Sequence, residues 1–429
     1  MRKAFVRLNR VFHLAATVLL LMLLPVGLVS DAYPQGKSLE QKLEVLTADK
    51  RFSIGLWEAS ALADKAWQAI RGGPADDQGA RQVREFFDLV SQIQQLRGEA
   101  ERLAGEEPLP EAQLAGIQTR LRSLYERRDN MENQAENILA VQVTRALLAE
   151  QLRTRVLWWD TIWPPVTSEF VDLPMLLVVS PRNRIERRVD YLLLPDLSVS
   201  EMEAIENAIQ EMNYSGLVTR IGGLSTYPAM IPEIYGLEFI LETMPHEWVH
   251  DFLAFYPLGW KYGSSGPLTT MNETVCDIVG SEVGQYLARQ YYPEYARVEA
   301  TESSPPSSEP SKPPEYDFGA EMRKTRLRAD ELLAQGKVNE AEAYMEERRE
   351  ELADHGYYIR KLNQAYFAFH GTYATGPISV DPIGPQLKEF RKRSASLREF
   401  LLTLAQMDSY QQLLQKLGLP LPTPTATQP

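Results

Sequence analysis

Cysteine and histidine are both scarce in this chain. Cys276 is the only cysteine, so no disulfide can form within the chain. Histidine occurs five times in 429 residues, so two at a meaningful spacing carry information. Clustered positive charge is lacking too. Lys and Arg total 45 against 58 Asp and Glu, for a net charge of −13, and the basic residues are dispersed. A nucleic acid as main partner would need a basic face, so that class is set aside. The acidity chiefly serves solubility.

What is present begins with an apolar run from Leu14 to Val29, preceded by Arg2, Lys3, Arg7 and Arg10. A basic start before such a run reads as a secretory signal or a single N-terminal membrane anchor. Pro25 and Gly27 near its end favour the signal. No cysteine adjoins the run, which excludes a lipid-anchored cysteine. The rest of the chain is expected outside the cytoplasm, secreted or anchored.

The length allows two or three units. Residues 1–35 form the targeting segment. Residues 36–157 read as helical, with Leu114, Ile117, Leu121, Leu124, Met131, Ala135 and Ile138 in a near-heptad pattern. Pro108 and Pro110 separate this helix from an earlier one, which predicts a helical hairpin. Residues 158–301 mix strands and helices. Strands are expected at Pro174–Ser180, Val189–Leu194 and Leu217–Ile221, and a helix at Ser200–Met212 with Ser200 as N-cap. Residues 302–315 are a Pro/Ser-rich linker. Residues 316–417 are helical again and are expected to complete the functional site, with a helix-pair turn at Leu333–Lys337, and 418–429 are expected as a disordered Thr/Pro tail. The expected fold class is α+β, predominantly helical, with a small mixed sheet. An edge strand should lie beside a central helix, flanked by the N-terminal hairpin and the C-terminal helices.

That central helix carries His246-Glu247-Trp248-Val249-His250, of the form His-Glu-x-x-His. Residues four apart on a helix lie nearly one above the other, so both imidazoles can reach one metal ion. Glu247 points to one side, where it can take a proton from water. Pro245, directly before the motif, either kinks one long helix or begins a new one. A catalytic zinc site needs a third protein ligand from another element. Asn272-Glu273-Thr274-Val275-Cys276-Asp277 begins 22 residues after His250. Glu273 and Asp277 share a helix face, so one carboxylate can bind metal while the other holds a ligand histidine from behind.

The two segments together resemble the gluzincin, thermolysin-like metallopeptidases, whose pattern is His-Glu-x-x-His followed by Asn-Glu-x-x-x-Asp. The close match spans about residues 220 to 285. The resemblance implies one Zn2+ per chain held by His246, His250 and Glu273, with Asp277 orienting a histidine and Glu247 as general base. It also implies a substrate-pairing edge strand before the active helix, in the place of Gly222-Gly223-Leu224-Ser225-Thr226-Tyr227. Gly222, Gly223 and Tyr227 are therefore candidate substrate-binding residues, and a tight turn is the plainer reading. A weaker similarity, through Leu362-Asn363-Gln364-Ala365, is to a bacterial family of predicted aminopeptidases. An aminopeptidase must also hold a free amine, and Glu233 or Glu238 would have to serve.

Tyr366, His370 and Tyr373 are spaced four and three apart. They are candidate donors to the oxyanion of a tetrahedral intermediate, or else packed aromatics. Cys276 lies three residues after Glu273 and reads as a core residue. The expectation is a zinc peptidase acting on a peptide or protein. The rival is a non-catalytic helical scaffold that retains zinc for structure.

Overall fold

A computed structural model describes residues 37–55, 57–58, 76–105, 110–156, 159–297, 316–376 and 379–421. The targeting segment, the linker at 302–315 and most of the terminal tail lie outside the described residues. Among the described residues, no helix is long and apolar enough to cross a membrane.

The fold is predominantly helical with a small mixed sheet, α+β as expected. Helix α1 (Lys37–Thr47) is followed by the long α2 (Asp77–Ala104) and α3 (Glu111–Ala149). Asp76 caps α2 by accepting from the amides of Gln78 and Gly79. The two long helices form the expected hairpin. Leu89, Ile93 and Leu96 of α2 meet Leu124, Ile117 and Leu121 of α3, three residues of the heptad stripe.

Short strands follow: the hairpin β1 (Thr154–Val156) and β2 (Trp159–Thr161), then β3 (Ser168–Phe170). The main sheet comes from β4 (Met175–Pro181), β5 (Val189–Leu193) and, after helix α4 (Val199–Glu211), β6 (Tyr214–Arg220). It is antiparallel in the order β5-β4-β6. Strand β6 begins three residues before the expected start. Helix α4 is capped by Ser198 with Glu201 in a complete capping box, so the true cap lies two residues before Ser200. Strand β7 (Ala229–Ile231) pairs in parallel with β3.

Alternation along β4 gives the sheet two apolar faces. Leu177 and Val179 pack with Ile205 and Ile209 of α4 and Leu39 and Leu43 of α1. Leu176 and Val178 face the other way, toward Ala365 and Phe369. That second face supports the site.

Helix α5 (Gly236–Leu253) carries the histidines and runs unbroken through Pro245. After the short α6 (Pro257–Trp260), helix α7 (Gly266–Tyr291) packs along α5. Two glycines set the closeness of that crossing. A Cβ on Gly280 would lie 2.8 Å from the Glu242 carbonyl and 3.0 Å from His246 Cβ. A Cβ on Gly284 would lie 2.9 Å from the Leu241 carbonyl. Real Cβ atoms do not sit so near backbone, so only glycine lets α7 bring Glu273 and Asp277 against His246.

The C-terminal region completes the fold with α8 (Phe318–Ala334), α9 (Val338–Asp354), α10 (Gln364–His370), α11 (Ile383–Arg393), α12 (Leu397–Ala405) and α13 (Tyr410–Leu417). Helices α8 and α9 form a hairpin whose turn places Gly336 at φ +75°. The Leu362–Ala365 element clips α10 to the sheet. Asn363 caps α10 and donates to the Gly216 carbonyl at 3.0 Å, and Gln364 donates to the Arg182 carbonyl at 2.8 Å. One continuous core joins α2, α3, α5, α7, α11, α12 and α13. The regions expected as separate units therefore share their largest apolar cluster.

Candidate metal centre

His246 and His250 lie one turn apart on α5, their ring centroids 4.9 Å apart. Their Nε2 atoms are 3.1 Å from each other. Glu273, on α7, brings Oε2 to 3.7 Å from Nε2 of His246 and 3.5 Å from Nε2 of His250. Ligands at about 2.1 Å in a tetrahedral zinc site are about 3.4 Å apart, so this triangle has the size of one coordination face.

Each donor is backed from behind. His246 Nδ1 is 3.2 Å from Asp277 Oδ1, which leaves Nε2 turned toward the cluster. The hydroxyl of Thr375 donates to the other oxygen of Asp277. Tyr262 donates its hydroxyl to Glu273 Oε1 at 2.5 Å, leaving Oε2 toward the histidines. Behind His250 lies Cys276, with Sγ 3.4 Å from Nδ1 and 3.8 Å from Asn272 Oδ1. The donor atoms of His246, His250 and Cys276 all fall within 4.8 Å of one another, so this cluster could hold a metal ion.

Electrostatics separate these groups. Burial alone would depress the pKa of His246. Its hydrogen bonds to Asp277 and Glu273, and the charge of Glu247, raise it well above the ordinary value instead. Burial works on Glu273 in the opposite sense, but the two histidines hold it well below the usual carboxylate range. The thiol of Cys276 is pushed well up by burial and by the negative charge of Glu273 and Glu247. A thiol held neutral is a poor ligand, since metals bind the thiolate.

Glu247 is 5% exposed, and burial raises its pKa. It touches the glycine segment directly: a Cβ on Gly223 would fall 2.0 Å from Glu247 Oε1. Gly222–Tyr227 is not the expected edge strand. Strand β6 ends at Arg220, and only Leu224 makes a bridge, to Met230. The segment is instead strapped to α5. Ser225 donates to Asp251 Oδ1 of α5 at 2.8 Å, while the Tyr227 amide donates to Glu58 Oε1, from the N-terminal region, at 3.0 Å. Tyr227 itself is buried, with its hydroxyl donating to the Pro165 carbonyl, which leaves little surface for a substrate.

Of the three C-terminal candidates, Tyr373 comes to the cluster, two residues before Thr375, whose hydroxyl donates to Asp277. Burial raises its pKa well above ordinary, and the charges of Glu273 and Glu247 push it further. Tyr366 and His370 pack against each other with ring centroids 4.2 Å apart and planes tilted by 43°. Burial alone shifts them, Tyr366 to about 12 and His370 to about 4, so no charged group of the cluster acts on either. Nor is Glu233 free to hold an amine, since it pairs with Arg128 at 2.7 Å.

Sequence reasoning missed Tyr262, Thr375, Asp251 and Arg187, all near these groups. Only Asp251 carries a periodic signal, one turn after Glu247. The others reach the site from loops. Searches against protein-family models, curated proteins and solved structures found no match.

Proposed function

We propose that this chain is a zinc-dependent peptidase of gluzincin type, with one zinc per chain held by His246, His250 and Glu273. The carrying observation is that two imidazole Nε2 atoms and one carboxylate oxygen converge, each backed from behind, beside Glu247 on the same helix. Glu273 is preferred to Cys276 as third ligand because Cys276 meets the Nδ1 side of His250 and its thiol is held neutral. Three protein ligands leave a position open, as catalytic zinc requires. Zinc there would polarise a scissile carbonyl and acidify water.

The remaining chemistry belongs to the protein. Glu247, its pKa raised by burial, takes a proton from the attacking water and passes it to the leaving amine. Tyr373, kept protonated beside Glu273, donates to the carbonyl oxygen as negative charge develops. Asp277 holds His246 and Tyr262 holds Glu273 in place. The basic flank and apolar run at residues 2–29 support a location outside the cytoplasm, and the weaker family resemblance leaves exo and endo cleavage both open.

A second reading has one observation in its favour. Cys276 lies within the donor cluster, and a fourth ligand would close the site into a structural one. Incubating the zinc-loaded protein with a broad peptide library, with cleavage read by mass spectrometry, decides between them. The peptidase reading expects zinc-dependent cleavage, and the cut positions show whether single residues are trimmed. One tightly held zinc with no cleavage would establish the scaffold.

A further inference from the structure

Arg187 stands just before β5, in the connection that returns from β4. The sheet register aims its partner at the site. Asp190 pairs with Val178, and Val178 lies on the sheet face that carries α10. A carboxylate on that apolar face needs a purpose, and its one hydrogen bond supplies it. Arg187 Nε donates to Asp190 Oδ2 at 2.6 Å. The guanidinium carbon then sits 5.9 Å from the Phe369 ring, whose centroid lies 5.9 Å from that of Tyr373. Among the described residues, Arg187 makes no other hydrogen bond, so its two Nη groups remain a free fork. The side chain is 19% exposed, enough to be reached. Tyr373 is two residues before Thr375, whose hydroxyl donates to Asp277, so the guanidinium stands one aromatic layer from the metal cluster, and the charges of Asp190, Tyr262, Tyr373 and Glu273 act on it.

The rest of that cluster is acidic. Glu247, Glu273 and Asp277 surround the histidines, and Asp251 lies one turn beyond. A neutral carbonyl could use the hydroxyl of Tyr373. An anion entering past these carboxylates gains from a second cation besides the metal, and Arg187 is one. A planar fork with two donors matches a carboxylate in particular. We propose that the Nη groups of Arg187 bind the free C-terminal carboxylate of a short peptide whose scissile bond lies at the metal cluster. This rests on the peptidase reading and gives it a substrate class: short peptides with a free acid end. Asp190 is the positioning residue that fixes the fork through Nε.

Binding measured without turnover tests this. Zinc-loaded protein carrying Glu247→Gln would be titrated calorimetrically with di-, tri- and tetra-alanine, each as free acid and as C-terminal amide. The proposal expects the acid to bind about tenfold or more tightly at one length at least, the scale of a charged hydrogen bond. Adding Arg187→Met should bring acid and amide to equal affinity. Arg187→Lys, which keeps the charge but not the fork, should retain part of the difference. Equal binding of acid and amide at every length, or no binding of either, overturns the proposal. So does an Arg187→Met variant that weakens both alike. If Arg187→Met fails to fold, the acid-to-amide ratio of the Glu247→Gln protein decides alone. Library cleavage by the unmodified protein without an acid preference would sink this inference and leave the peptidase reading standing. An acid preference in binding, with no cleavage by that protein, would do the reverse.

Discussion

At the residue scale, the histidines are legible from spacing alone, but what holds them is not. Asp277 follows Glu273 by one helical turn, so its place behind His246 could be read from the sequence. Tyr262 could not, because it reaches Glu273 from the loop before α7, where no period applies. Removing either support should loosen the metal without removing a ligand. Asp277→Asn and Tyr262→Phe are each expected to lower zinc affinity about 10- to 100-fold, measured by competition with a chromophoric chelator. Unchanged affinity in both would show that these contacts do not tune the site.

The raised pKa of His246 adds a pH dependence with a definite sign. In metal-free protein the folded state holds this proton more tightly than the unfolded chain. That contribution to stability is full below the unfolded pKa and is lost as pH rises through the folded one. Zinc must displace the same proton, so its affinity should fall with decreasing pH, by up to about tenfold per unit for one competing proton. Zinc titrations carried from below the ordinary histidine pKa of about 6.5 upward into the alkaline range, where a raised His246 pKa lies, check this.

At the element scale, long periodic segments could be read and close approaches could not. The heptad stripe of α3 and the apolar runs of β4 and β5 mark elements the structure contains. Strands β1, β2, β3 and β7 are three residues each, too short for alternation to register. Gly222-Gly223 looked like an edge strand, yet its constraint comes from Glu247 pressed against Gly223. Gly280 and Gly284 carried no signal beyond being small, although they set how near α7 comes to α5. Gly280→Ala should therefore cost about 1–3 kcal/mol by forcing the helices apart, and should also weaken zinc binding. Thermal unfolding with and without zinc would show both, and a neutral result would mean that the crossing tolerates more room than its distances imply.

At the scale of the whole molecule, the sequence divides where the core does not. The linker at 302–315 reads as a boundary, and residues beyond it reach the site. Thr375 bonds Asp277, Tyr373 nears Glu273, and Arg391 of α11 grips Glu282 of α7 through two bonds of 2.8 Å. The C-terminal helices are also bound to the sheet through Glu206. It is fully buried and accepts from Arg360, Lys361 and the Val218 amide. A site-specific protease sequence inserted between residues 302 and 315 should thus yield two fragments that stay together on size exclusion and keep their zinc. Fragments that separate would mean the shared core is weaker than its extent implies.

Glu247 is proposed to perform proton transfer at a zinc site built by His246, His250 and Glu273. This role is tested most directly by comparing Glu247→Gln with the unmodified protein at equal zinc content, using a peptide found to be cleaved. Both proteins should hold one zinc per chain, and the variant should lose hydrolysis by about 100-fold or more, the scale of general acid–base catalysis. Undiminished hydrolysis by the zinc-loaded variant would contradict it.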